Sequence, residues 1–293
     1  MCEKFTVGTM QAGDATCTAR IYRGAKLLSP PPVVLHLHGG AFSNSCLGAC
    51  ERVAETLAEA GAVVVSPEYS SACLNPFPAA LDVAYSIMTS MRARCPEFAH
   101  KKSMLFVAGE EAGGNIAAGV ALMARDQHLA DLKGQILLSP MLDPCLATAS
   151  FRKYCPESAV QTIADGWQNY LGECAGFTHP YAAPALCTRL GGLVPTLLVT
   201  SAQCPMRDET RAYAERLRQA GVKVQSHVLP GQAGWIPENK VTRTDWMPQE
   251  KTLSTCFRIS SGKQVLSKSK HNVSSNGLPT FGLTLNMKPA PTG

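Results

Sequence analysis

The sequence lacks the features that would place a protein in a membrane or in a disulfide-rich secreted class. No apolar run approaches the roughly 20 residues that span a bilayer, and residues 1–5 lack the apolar core of a secretory signal. The 12 cysteines are scattered along the 293 residues and include no C-x-x-C pair, which favours free thiols over a disulfide framework. We therefore expect a cytoplasmic protein without a membrane span.

The sequence also lacks a convincing set of metal ligands. Cys46 and Cys50 lie four residues apart on a predicted helix, but no further ligands accompany them. A zinc site needs three or four protein ligands, so packing is the better interpretation of this pair. The sequence predicts no metal and no cofactor.

Acidic residues are missing from the end of the chain. Residues 251–293 contain no aspartate or glutamate and carry a local charge of +6, and the net charge of +5 leaves −1 for the first 250 residues. The basic charge belongs to this segment and not to a binding face, so we expect no nucleic-acid partner. Residues 237–293 are rich in polar residues without a helical or strand period, which predicts a disordered or loosely attached tail.

Before residue 237 the chain alternates between strand and helix patterns. Residues 5–22 alternate apolar and polar positions, as antiparallel strands do. Further strands are predicted at 33–38, 62–66, 104–108, 134–138, 195–200 and 222–229, and helices at 47–60, 79–93, 113–126 and 208–220. This order predicts an α/β domain over residues 1–236, with a mostly parallel sheet, helices on both faces and a partly helical insertion over about 144–190.

A sharp strand-to-helix turn is predicted at residues 109–113. Gly109 directly follows the predicted apolar strand, and Ala112 and Gly113 lead into the predicted helix. Small residues at these positions are what the nucleophile elbow, G-x-S-x-G, requires for its tight turn. The central residue is Glu111 and not serine, so the turn presents a carboxylate in place of a hydroxyl.

Several stretches together carry a family resemblance. They are HGGAF at 38–42, PFPAALD at 76–82, GEEAGGN at 109–115, LSP at 138–140, YAAP at 181–184 and LLVT at 197–200. In this order, and each at the expected strand end, they resemble the hormone-sensitive-lipase-like branch of the α/β-hydrolase fold, which comprises carboxylesterases, lipases and acetyl hydrolases. The resemblance covers roughly residues 15–236.

The resemblance implies a Ser-His-acid triad and an oxyanion hole, and this chain departs from the triad at all three positions. Glu111 stands at the nucleophile position and Cys204 at the acid position, and residues 230–235 contain no histidine where the family has one. The oxyanion hole survives in the sequence, because the resemblance assigns it to the backbone N–H groups of Gly39, Gly40 and Ala112.

Substitutes for the missing triad members are weak candidates. His227 lies inside the last predicted strand, several residues too early for a catalytic loop. His38 is better interpreted as a brace of the oxyanion loop. Asp208 follows the acid position by four residues and is expected to be a helix N-cap. Cys204 has no histidine beside it that could make it a nucleophile.

Two interpretations of Glu111 remain open: the carboxylate occupies its own oxyanion hole, or it acts as a general base or nucleophile. The first predicts a relative of carboxylesterases that has lost ester hydrolysis and binds a small carbonyl or ester-like ligand or a partner. The second predicts an enzyme of small-molecule metabolism that uses Glu111, and a weak residual esterase is a third hypothesis. The sequence leaves the ligand and the oligomeric state open.

Overall fold

The structure is a computed structural model, and it describes residues 5–42, 51–69, 76–129, 131–172 and 179–233 together with Lys251, Ser254 and Phe257. The chain divides into a compact unit, Met1–Lys263, and a remaining segment, Gln264–Gly293. None of the residues of the remaining segment is among those described.

Eight strands form one sheet in the described part of the chain. They are β1 (Phe5–Ala12), β2 (Ala15–Arg23), β3 (Val33–Leu37), β4 (Val63–Pro67), β5 (Leu105–Glu110), β6 (Leu132–Leu138), β7 (Thr196–Ser201) and β8 (Val224–Leu229). Their order across the sheet is β1-β2-β4-β3-β5-β6-β7-β8. β1 and β2 pair antiparallel, as does β2 with β4, and the pairs from β4 to β8 are parallel.

The described helices connect and cover these strands. They are α1 (Glu51–Glu59), α2 (Ala79–Ala93), α3 (Cys95–Phe98), α4 (Glu111–Asp126), α5 (Ala149–Tyr154), α6 (Glu157–Leu171) and α7 (Arg207–Gln219). The central helix α4 is buried over most of its length. The strands β3, β4, β5 and β7 are buried at every position, because helices cover both faces of a parallel sheet. None of the described helices is long and apolar enough to cross a membrane.

The predicted fold class is confirmed. The opening strands are antiparallel, the remaining strands are parallel, and helix α2 has the predicted bounds. The insertion contains α5, α6 and a short 3₁₀ turn, Pro184–Leu186. Helix α4 begins at Glu111, two residues before its predicted start, because the turn at Glu111 leads directly into helical geometry.

The end of the compact unit does not coincide with the predicted domain boundary at residue 236. Phe257 has a helical conformation and is fully buried. Its ring lies 6.0 Å from the ring of Phe106 at the beginning of β5, in an edge-to-face arrangement. An aromatic side chain of this size contributes strongly to the core in which it is buried. The predicted disorder of the rest of the tail falls outside the described residues.

Candidate functional site

The turn between β5 and α4 has the geometry of an elbow. Glu111 at its apex has φ of 49°, a left-handed conformation that non-glycine residues seldom adopt. A Cβ on Gly109 would lie 2.3 Å from the carbonyl oxygen of Gly113, and a Cβ on Gly113 would lie 2.0 Å from that of Leu37. Only glycine fits at either position, which is why the spacing of small residues predicted this turn.

The Glu111 side chain turns toward the loop that follows β3. The backbone N–H of Gly40 donates to Oε2 of Glu111 at 3.2 Å. Oε2 also lies 2.5 Å from the point where a Cβ on Gly39 would stand. The residue is 6% exposed, so its carboxylate is held in a nearly closed space. Its place in the first turn of α4 favours the anion, typically by about 0.3–1 kcal/mol.

The loop itself, residues 38–42, has an unusual backbone. Gly40, Ala41 and Phe42 have φ of 128°, 49° and 58° in succession, which turns the chain back over the elbow. Nδ1 of His38 lies 3.0 Å from the carbonyl oxygen of Gly39, and the hydroxyl of Tyr69 donates to the carbonyl oxygen of His38. Burial lowers the pKa of His38. These contacts fit the predicted bracing role of His38.

The predicted oxyanion donors are divided between two carboxylates. Gly40 donates to Glu111, but the N–H of Gly39 donates to Oε1 of Glu110 at 3.2 Å. Gly39 therefore does not point its donor at the elbow side chain as expected. Ala112 lies in the first turn of α4, where N–H groups have no partner within the helix, and its role as a third donor stays a prediction.

Glu110 is a residue of the site that the sequence interpretation missed. It is fully buried, and its Oε2 lies 2.8 Å from Nε2 of His36. Nδ1 of the same imidazole lies 3.0 Å from Oγ of Ser66. A signal was available, because His36 and Ser66 are polar residues inside apolar strands and buried polar groups need partners.

The acid position contains a buried thiol. Cys204 follows β7 and is fully buried, near the hydroxyls of Ser139 and Thr200, which hydrogen-bond to each other at 3.0 Å. Burial raises the pKa of the Cys204 thiol to about 11, and the negative charge of Glu111 adds to the shift. A thiol in this state is neutral at physiological pH, so it neither orients a histidine as a carboxylate does nor attacks as a thiolate.

The other candidate triad members are not brought to the elbow. His227 is half-buried inside the edge strand β8, with Val199 opposite it. The expected N-cap role of Asp208 is wrong, since α7 begins at Arg207. The Asp208 carboxylate instead accepts from the backbone N–H of Ser150 at 2.8 Å and so ties α7 to the insertion.

The insertion packs directly on the oxyanion loop. A Cβ on Gly166 of α6 would lie 1.8 Å from the carbonyl oxygen of Ala41, so the helix and the loop touch through their backbones. The Phe42 ring stacks on Tyr170 at 4.2 Å and lies 4.9 Å from the ring of Trp167. The indole N–H of Trp167 is buried and has no hydrogen-bond partner in the described part of the chain.

The described residues offer no metal site, and one cavity among them lies away from the elbow. The described residues contain no group of three or more histidine, cysteine, aspartate or glutamate side chains that could hold a metal ion. A cavity of about 350 Å³ is lined by Phe106, Gln135, Thr196 and Val224 among others. Phe106, Thr196 and Val224 lie at the starts of their strands, whereas Glu111 follows the end of β5, so this cavity lies at the sheet edge opposite Glu111.

Comparison with known proteins agrees with this geometry. A family model described as the alpha/beta hydrolase fold matches residues 34–235. The esterase LipI of Mycobacterium tuberculosis is 32% identical over 219 residues, which cover 70% of this chain and 68% of LipI. The gibberellin receptor GID1A of Arabidopsis thaliana is 34% identical over 225 residues, which cover 71% of this chain and 64% of the receptor.

Solved structures give the same result. A thermostable esterase from Pseudomonas putida has a TM-score of 0.78 at 26% identity, covering 89% of this chain and 84% of its own. A bacterial heroin esterase has a TM-score of 0.76 at 30% identity, covering 87% and 84%. The fold and the elbow thus define an α/β hydrolase. Within this class the chain belongs to the hormone-sensitive-lipase-like carboxylesterase family.

Proposed function

We propose that this protein is a member of the carboxylesterase family that has lost ester hydrolysis and acts as a binding or interaction protein for a small carbonyl or ester-like ligand. The observation that carries the proposal is the hydrogen bond from the Gly40 N–H to Glu111. The carboxylate takes up the donor that would otherwise stabilise an oxyanion. The proposal places the protein in the cytoplasm, in keeping with the free thiols of the described cysteines.

The chemistry of the elbow argues against ordinary ester hydrolysis. A carboxylate that attacked an ester would form an acyl-enzyme, and its release needs a water activated by a base. Cys204 is buried and its pKa is raised, and residues 230–235 supply no histidine. With all three triad members replaced, only the weak catalysis of the oxyanion hole and of binding would remain.

A binding role has support from the surroundings of the elbow and from the relatives. The buried indole N–H of Trp167 is a donor that a ligand carbonyl would satisfy, and Phe42 beside it supplies an apolar wall. GID1A is named a receptor, so the relatives of this chain include a protein named for binding. A ligand carbonyl would compete with Glu111 for the Gly40 N–H.

The proposal is tested by removing the Glu111 carboxylate and supplying it again. Glu111→Ala deletes the fragment CH₂–COO⁻, which acetate replaces. We expect acetate to shift the Gly40 amide resonance of Glu111→Ala toward its wild-type position in an NMR titration. Glu111→Gln, which fills the same space, is the matched control and should not respond. If acetate leaves the Gly40 resonance of Glu111→Ala unchanged, the carboxylate does not occupy the hole.

The second candidate function is catalysis by Glu111 as a base or nucleophile, with a weak residual esterase as its simplest form. It is favoured by the burial of this carboxylate and by the esterase names of relatives such as LipI. A p-nitrophenyl acetate assay separates the two functions. The binding proposal expects no turnover above background. Turnover that scales with protein and disappears in Glu111→Ala would establish the catalytic alternative.

A further inference from the structure

A buried chain of polar side chains runs across the centre of the sheet beneath the oxyanion loop. Ser66, His36 and Glu110 lie on the neighbouring strands β4, β3 and β5. The Ser66 hydroxyl is 3.0 Å from Nδ1 of His36, and Nε2 of His36 is 2.8 Å from Oε2 of Glu110. None of the three is more than 3% exposed, so none of them meets a ligand directly.

The sheet register places these residues on one face. His36 is opposite Ala108, so Glu110, two residues further along β5, points to the same side as His36. Ser66 follows Val65, which pairs with Leu35, and therefore stands beside His36. The contact chain is thus built by the backbone pairing and does not depend on flexible loops.

The chain ends on the oxyanion loop. Oε1 of Glu110 accepts from the backbone N–H of Gly39 at 3.2 Å, and the next residue of the loop, Gly40, donates to Glu111. Two consecutive glutamates therefore bind two consecutive N–H groups. Glu110 is fully buried between His36 of β3 and the N–H of Gly39, whereas Glu111 stands at the elbow, where a ligand would arrive.

A buried carboxylate of this kind is costly unless it is paired and hydrogen-bonded. Here each oxygen of the Glu110 carboxylate has one donor: Nε2 of His36 for Oε2, and the backbone N–H of Gly39 for Oε1. With Nε2 donating to Glu110, Nδ1 is left to accept from the Ser66 hydroxyl, so each member of the chain has a complementary partner. Satisfied polar networks hold their members in one arrangement, and this one includes the N–H that precedes the anion-binding N–H of Gly40.

We infer that Glu110 and His36, backed by Ser66, are positioning residues that fix the oxyanion loop and thereby aim the Gly40 N–H at its ligand. The inference deepens the proposed function, because it names the residues that keep the hole formed when the Glu111 carboxylate leaves it. Positioning is separate from binding: Glu110 holds the loop permanently, and Glu111 is the group that a ligand displaces.

The first experiment uses the otherwise unchanged chain and does not depend on the proposed function. Glu110→Gln keeps the shape of the side chain, but an amide has one acceptor oxygen and cannot serve both His36 and Gly39. We expect an imidazole N–H resonance of His36 that exchanges slowly in the wild type and is lost in Glu110→Gln. The amide resonances of both Gly39 and Gly40 should move. A purely structural network would leave Gly40, which does not touch Glu110, in place.

Two further variants keep the inference falsifiable if Glu110→Gln does not fold. Ser66→Ala is the mildest change and should move the same resonances in the same direction by less, and His36→Gln should resemble Glu110→Gln. Gln135→Leu is the control, since it removes a buried hydrogen bond to Thr196 on the sheet without touching the loop. Folded variants with an unmoved Gly40, or the failure of all three to fold, would refute the positioning role.

The second experiment measures the consequence for binding. In the Glu111→Ala background, adding Glu110→Gln should weaken acetate affinity at the Gly40 N–H about tenfold, as for the loss of one well-aligned hydrogen bond, and adding Ser66→Ala should weaken it by less. Adding Gln135→Leu should not change it. If Glu111→Ala binds no acetate at all, the proposed function fails, while the resonances of the first experiment still decide the inference. Unchanged acetate affinity in the double variants contradicts the inference and leaves the proposed function standing.

Discussion

Glu111 stands where a hydrolase of this family needs a nucleophilic hydroxyl, and we predict that Glu111→Ser alone gives no ester turnover. A serine hydroxyl at neutral pH is a weak nucleophile without a base in hydrogen-bond reach. His227 is in register with Glu110 but three strands away. At about 4.8 Å per strand this separation is about 14 Å, too far for proton transfer. The measurement is p-nitrophenol release with and without a pre-steady-state burst.

The control for this prediction is Glu111→Ala, which opens the same space without a hydroxyl. Equal background rates for the two variants support the prediction. An acyl-enzyme burst in Glu111→Ser alone would mean that a base reaches the elbow, and adding His227→Ala would then test that histidine first. In that case the replacement of the serine by Glu111 would alone account for the loss of catalysis, without the changes at the acid and histidine positions.

Part of the site could be predicted from local sequence and part could not. The position of Glu111 followed from Gly109 and Gly113, because the steric demands of a tight turn are local. The partnership of Glu110 with His36 spans 74 residues and depends on β3 and β5 being neighbours. Strand order is a property of the whole sheet, so the division of Gly39 and Gly40 between two carboxylates could not be deduced from spacing.

Cys204 makes the stability of the protein sensitive to alkaline pH. Its pKa is raised from 9.0 to about 11, chiefly by burial, so the folded chain keeps a proton that the unfolded chain releases. The stabilisation is complete below about pH 9 and is lost as the pH rises to about 11. The loss should be about 2–3 kcal/mol in the free energy of unfolding. Urea unfolding at several pH values should show that Cys204→Ser has a smaller alkaline loss than the wild type.

The matched control for this prediction is Cys145→Ser, whose thiol is exposed. Because the other thiols are present in both proteins, the difference between wild type and Cys204→Ser isolates one titration. An alkaline loss in Cys204→Ser equal to that of the wild type would show that this thiol does not retain its proton on folding.

At the scale of elements, the contact between α6 and the oxyanion loop determines how the insertion sits over the site. We predict that Gly166→Ala destabilises the protein by about 1–3 kcal/mol, since the added methyl would overlap the Ala41 carbonyl oxygen. The change should also alter the stacking of Phe42 on Tyr170. Thermal unfolding and near-ultraviolet circular dichroism measure the two effects.

Without the contact to the loop, Gly166→Ala should stabilise the protein, because alanine favours a helix interior over glycine by about 1 kcal/mol. A loss of stability therefore reports the overlap with the Ala41 carbonyl oxygen. Asn169→Ala, an exposed change on the same helix, is the control and should be neutral or slightly stabilising. If Gly166→Ala also raises the melting temperature, α6 does not press on the loop, and the closed arrangement over Glu111 would need revision.

Elements with a clear hydrophobic period were predicted well, whereas elements that depend on tertiary contacts were not. Helix α2 has its predicted bounds, and the strand β7 begins within a residue of its prediction. The insertion was expected only to be partly helical, because α5 and α6 owe their positions to contacts such as that between Ser150 and Asp208. Side-chain pairing of this kind also replaced the expected N-cap role of Asp208.

At the scale of the whole molecule, the composition of the sequence and the extent of the compact unit mark different ends, and the boundary at residue 236 stays a prediction. The basic and aperiodic composition after residue 236 indicated a loose tail, yet the compact unit continues to Lys263 and Phe257 is fully buried. A single aromatic residue adds little to a composition average, but its burial contributes far more free energy than the surrounding polar residues. A composition average does not register such a residue, so the boundary between domain and tail needs a direct test.

The buried side chain of Phe257 gives the last prediction, which divides the tail into a part that is needed for stability and a part that is not. Phe257→Ala should lower the free energy of unfolding by about 3–5 kcal/mol, the usual loss for a buried aromatic ring, because it empties the space beside Phe106. A chain that ends at residue 250 should lose at least as much, whereas a chain that ends at Lys263 should unfold like the full protein. Phe257→Leu, which keeps most of the apolar volume, is the matched control and should lose less. Urea unfolding of the four proteins beside wild type makes the comparison. Equal stability of the chains ending at 250 and at 263 would mean that residues 251–263 add no stability and that the folded unit ends before them, in agreement with the boundary predicted from the sequence.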